Sequence, residues 1–133
     1  MVRGARYAYA VLAWAFVAGL VVQVFFIGLA LFAGSENLAL HVALGWILHL
    51  VPILILVAAA VARAGRQQVL LAVALAAIVF IVPILVLLRD SAPVFAALHP
   101  VAALLSFWLA MLVARGATQL LRSDAGAAVS MTT

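Results

Sequence analysis

Four long apolar runs, at positions 7–32, 38–62, 69–88 and 93–114, constrain this chain more than any other feature. Each reaches the roughly 20 residues that an α-helix needs to cross a bilayer. The turns between them are AGSEN (33–37), RAGRQQ (63–68) and RDSA (89–92), short enough to force neighbouring helices antiparallel. The expected fold is all-α, an integral membrane four-helix up-down bundle forming a single domain over residues 1–116. The small and polar residues at 117–133 read as a disordered tail. Composition agrees with a lipid solvent: 71% of the residues are hydrophobic and 8% charged, where a water-soluble domain carries about a quarter charged residues.

The few charges then act as orientation marks. Arg3, Arg6, Arg63, Arg66, Arg115 and Arg122 fall at one end of the expected bundle, and only Arg89, beside Asp90 and across from Glu36, falls at the other. The positive-inside rule puts both termini in the cytoplasm of a multi-pass protein. All seven basic residues are arginine, which together with the excess of Ala, Val and Leu suits a GC-rich bacterial genome and hence a bacterial cytoplasmic membrane. The net charge of +4 is accordingly not read as a nucleic-acid footprint. A signal peptide is disfavoured, because AYA (8–10) precedes the first apolar run instead of following it and the run is too long for an h-region. The lack of cysteine excludes disulfides, thiolate metal sites and iron–sulfur clusters.

Polar residues inside the runs need partners, so their depth is informative. His41 lies three residues into the second run and His99 six into the fourth, both near the outer face. His49 is about 12 Å deeper than His41, near the midplane, where Gln23 and Ser106 also fall. Two layers are therefore predicted, an outer pair His41–His99 and a midplane cluster of His49, Gln23 and Ser106. The cluster reads either as hydrogen-bonded glue, at about 0.6–2 kcal/mol per bond, or as a proton-handling or quinone-binding site built on a near-neutral histidine. Pro52 withdraws the backbone donor from the Leu48 carbonyl close by.

Two histidines on antiparallel helices at similar depth can ligate one haem iron from opposite sides. Gly45 and Ala103, each four residues beyond its histidine and on nearly the same face, would leave room for the macrocycle. The triplet ALH ends at His41 and again at His99, 58 residues later, an echo that suggests two hairpins related by an axis along the membrane normal. The competing reading makes both histidines interfacial. Pro is favoured in a first helical turn, so the fourth helix starts either at Pro93 or at Pro100, with His99 as its cap and 93–98 an interfacial segment.

The layout of HVALGWILHL (41–50) and LHPVAALLSFWLAMLVARGA (98–117) resembles a family of small actinobacterial four-helix membrane proteins known only as a domain of unknown function, over residues 1 to about 116. More distantly, the His-x-x-x-Gly spacing and the four-helix core resemble di-haem cytochromes of the b561 type. That resemblance implies that His41 and His99 are axial ligands of one haem b. This chain departs from the pattern at the opposite face, where no second histidine pair occurs and Met111 reads as apolar packing. One haem near the outer face implies electron exchange with a redox partner or quinol at that face, and no transfer across the bilayer.

Hydrolytic chemistry has little support, since the only carboxylates are Glu36, Asp90 and Asp124, the last at the opposite end from the others. Glu36 and Asn37 read as helix-start residues. Trp46 is expected to pack inside the bundle or beside a cofactor. Three classes are compatible with these features: a haem-binding electron-transfer protein, a cofactor-free accessory or structural subunit of a larger membrane complex or homo-oligomer, and a small transporter. The last lacks the buried carboxylate such proteins commonly use.

Overall fold

The computed structural model describes residues 2–130, with side chains through residue 123. Its long helices are α1 (Val2–Phe32), α2 (Leu38–Val61), α3 (Arg66–Leu87) and α5 (His99–Ser130), with a single turn of helix, α4 (Pro93–Ala96), before α5. All four long helices are apolar and long enough to cross a membrane, and the described residues contain no strand. The chain is a multi-pass membrane protein by length and composition.

Glycine sets the first two turns. Gly34 (φ 139°) and Gly65 (φ 83°) occupy backbone regions closed to most side chains. Asn37 does not cap α2. Its side chain instead donates to the Gly34 carbonyl at 3.0 Å, closing the 3-10 turn Ser35–Asn37.

The long helices pack in the cyclic order α1–α2–α3–α5, with α5 closing the ring on α1, so α1 faces α3 and α2 faces α5 across the diagonals. Apolar surface gives no hydrophobic drive between helices in lipid, so close packing and interhelical hydrogen bonds hold them. Small residues supply the closeness: Ala10, Ala13, Ala59, Ala62, Ala72, Ala110, Ala114 and Ala117 are all buried. A Cβ at Gly19 would land on the Leu48 side chain, which is the close α1–α2 approach that AWAFVAG (13–19) permits.

Interhelical hydrogen bonds tie the end of the bundle nearest the termini. Tyr9 donates its hydroxyl to Gln68 Oε1 at 3.0 Å, Arg6 Nε donates to the Ala62 carbonyl at 3.2 Å, and Trp14 donates its indole N–H to Thr118 Oγ1 at 3.0 Å. The segment read as a tail from residue 117 begins inside α5. Ala117 is fully buried, Thr118 ties α5 to α1, and the helix runs on to Ser130. Ala117 and Thr118 lie on the inner face of α5 and keep its first tail residues against the bundle. Residues 131–133 lie outside the described residues.

The start of the fourth crossing is settled at His99. Residues 93–96 form the separate turn α4, and α5 begins one residue before Pro100, whose missing N–H costs nothing in a first turn. Every buried side chain lies between the termini and the level of Ala102. Towards the far end the interior residues, including His41 and His99, are only half-buried.

Candidate functional site

His41 and His99 meet across the α2–α5 diagonal. Their ring centroids are 6.5 Å apart with planes at 65°. Each ring is held by the helix that precedes its own. His41 Nδ1 lies 3.0 Å from the Gln23 carbonyl oxygen on α1, and His99 Nδ1 lies 2.9 Å from the Val82 carbonyl oxygen on α3. A carbonyl oxygen only accepts, so Nδ1 carries the hydrogen in both rings. In the neutral form each Nε2 keeps its lone pair.

The two hairpins thus repeat one arrangement. Each histidine sits early in the second long helix and bonds a carbonyl 18 or 17 residues back on the first. The structure therefore supports the ALH echo as an internal two-fold relation, with the histidine pair where the two equivalent helices face each other. The relation is imperfect, because Gln23 has an apolar counterpart in α3 and the second hairpin carries the extra turn α4.

Gln23 belongs to this layer and not to the midplane. Its Nε2 donates to the His41 carbonyl at 2.7 Å, while the His41 ring donates to the Gln23 carbonyl, a reciprocal clasp of α1 and α2. The count of depth took residues 33–37 as a plain loop, whereas 35–37 form a 3-10 turn ahead of α2. Gln23 Oε1 is buried without a hydrogen-bond partner among the described residues. Gly45 serves this clasp. A Cβ there would lie 2.8 Å from Gln23 Nε2, so its open side holds the carboxamide and is not room for a macrocycle. Ala103 is half-buried on α5.

The remaining members of the predicted midplane cluster do not meet. Ser106 is buried and donates to the Ala102 carbonyl of its own helix at 2.8 Å, the usual way a serine satisfies itself inside an apolar helix. The His49 ring instead contacts Phe80 on α3 (centroids 4.1 Å) and Trp46 one turn above (5.9 Å). Trp46 is 63% exposed, so it faces outward and not into the bundle. Sequence reasoning missed Phe80 and Val82, since a backbone acceptor and a ring on a neighbouring helix leave no local signature.

Among the described residues no group of three His, Asp or Glu side chains gathers. Residues 23–92 match a family of unknown function, DUF6220. The chain belongs to the DUF6220 family. The matched span includes Gln23, His41, His49 and Val82 and ends before His99. No curated protein and no solved structure matches the chain.

Proposed function

We propose that this DUF6220 chain binds one haem b between α2 and α5, with His41 and His99 as its axial ligands, and acts as a small electron-transfer protein of the bacterial cytoplasmic membrane. The observation that carries the reading is the common tautomer of the two rings, each donating Nδ1–H to a backbone carbonyl on a different helix. Metal-bound imidazoles almost always donate their second N–H in this way, which fixes the ring and raises its basicity. The two rings, 6.5 Å apart between centroids, are the residues that would hold the haem between α2 and α5.

When bound, the haem would supply a one-electron couple tuned by its axial ligands and their hydrogen bonds. The chain's own work is positional. The Gln23 and Val82 carbonyls belong to helix backbones and cannot rotate away, so both rings are aimed before any ligand arrives. The half-buried packing at this end gives a flat group more room than the tightly packed end near the termini. The arginine asymmetry would place the pair towards the outer face. Electrons would then be exchanged with a redox protein or quinol on that side.

The test is the absorption spectrum of detergent-purified protein from haem-replete cells, oxidised and then reduced with dithionite. The expected result is a sharp reduced-state band of a six-coordinate b-type haem, lost in His41→Ala and in His99→Ala. A spectrum unchanged by either substitution would contradict the assignment.

A second reading rests on the same bonds. The histidines tie α2 to α1 and α5 to α3, so they also suit a cofactor-free subunit of a larger membrane assembly in which they serve only as polar clamps. It predicts a colourless protein that loses stability in both alanine variants.

A further inference from the structure

We propose that the seam between α2 and α3 binds the headgroup of a membrane-soluble quinone, with His49 as its hydrogen-bonding partner. The site requires no iron and stands or falls apart from the haem reading.

His49 is the one histidine of the three whose ring has no hydrogen-bond partner among the described residues; it meets the rings of Phe80 at 4.1 Å and Trp46 at 5.9 Å. It is half-buried within a helix long and apolar enough to span a membrane. A polar ring at that depth without a partner is unfavourable, and such residues commonly mark ligand or proton paths. Trp46 and Phe80 are 63% and 39% exposed, so the aromatic group opens to the lipid side of the bundle and not to its core. A ligand arriving there must be lipid-soluble. It must also be flat, to lie against rings, and must carry an oxygen that takes or gives a hydrogen bond.

The seam itself is looser than its counterpart. Under the internal two-fold relation α2–α3 corresponds to α5–α1, yet α2 and α3 pack the least closely of the four adjacent pairs. Both helices also carry a proline here. Pro52 has no N–H for the Leu48 carbonyl and Pro83 none for the Val79 carbonyl, so the oxygens next in sequence to His49 and Phe80 lose their helical donors. A quinone carbonyl would accept from the His49 ring, and a quinol hydroxyl would donate to it. Phe80 lies two residues from Val82, whose carbonyl holds His99, so one segment of α3 touches both sites.

The test uses the full chain with Trp46 as its only tryptophan (Trp14→Phe, Trp108→Phe) and follows quenching of its fluorescence by menadione. Binding is expected to saturate and to weaken about tenfold in His49→Leu, the effect of losing one hydrogen bond of about 1.4 kcal/mol. His49→Gln, which keeps a donor, should retain it, separating recognition from unfolding. Methylnaphthalene, which has the rings without the oxygens, should bind weakly. Non-saturating quenching, equal binding in His49→Leu or equal binding of methylnaphthalene would each overturn the proposal.

Discussion

Alanine at position 45 would place a methyl carbon 2.8 Å from Gln23 Nε2. Ordinary contact between such atoms is about 3.5 Å, so the carboxamide must retreat by roughly 0.7 Å. Its bond to the His41 carbonyl is 2.7 Å long and would stretch to roughly 3.4 Å, past the ~3.2 Å limit of a sound N–H···O bond. The lost bond is worth about 1 kcal/mol. Leaving the amide unpaired costs a further ~1–3 kcal/mol, made worse because Gln23 Oε1 already has no partner among the described residues. Alanine recovers about 1 kcal/mol of helix propensity over glycine. The net expectation for Gly45→Ala is a loss of about 1–3 kcal/mol, read from thermal or denaturant unfolding in detergent. In a Gln23→Ala background nothing stands in the way, so the same substitution should be neutral or stabilise by up to about 1 kcal/mol. The sign change between backgrounds is the signature, and a double-mutant cycle isolates it. Equal destabilisation in both backgrounds would refute the idea that Gly45 exists to admit the Gln23 carboxamide.

Other substitutions check other parts of the account. Ser106→Ala should change stability by no more than about 0.5 kcal/mol, since its hydroxyl serves its own helix; a loss above about 2 kcal/mol in the same unfolding assay would mean that it serves another. Gly116→Ala drives a methyl into the Gln68 carboxamide that accepts the Tyr9 hydroxyl, and a loss of about 1–3 kcal/mol is expected. Shortening Gln68 to alanine in the same chain should recover much of it. Truncation after residue 116 should lower the melting temperature, because Ala117 is buried and Thr118 accepts the Trp14 indole N–H. An unshifted melt would restore the tail to the status of an appendage.

The parts of this fold that were legible in the sequence are those written in long stretches. Four apolar runs and three short turns determine helix number and antiparallel order, because no other structure satisfies that much backbone in lipid. The pairing of His41 with His99 was also legible, since both lie near the same end of antiparallel helices. What escaped depended on where single side chains turn. Ser106 bonds backwards along α5, a choice available to any serine in a helix. Gln23 bonds His41 across a connection that contains a 3-10 turn, and counting depth from a loop read as level misses that pairing. Gly45 looked like space for a cofactor, although from sequence alone a missing side chain does not say which neighbour uses the gap. The tail reads as polar when averaged, yet the single buried position Ala117 keeps it attached.

The most direct measurement is the haem content of the purified chain, as pyridine haemochrome per mole of protein, from cells with ample haem. The account predicts close to one b-type haem per chain, falling towards none when either His41 or His99 is replaced by alanine. Haem-free protein of native helicity from such cells would contradict it and leave the two histidines as clamps between helices.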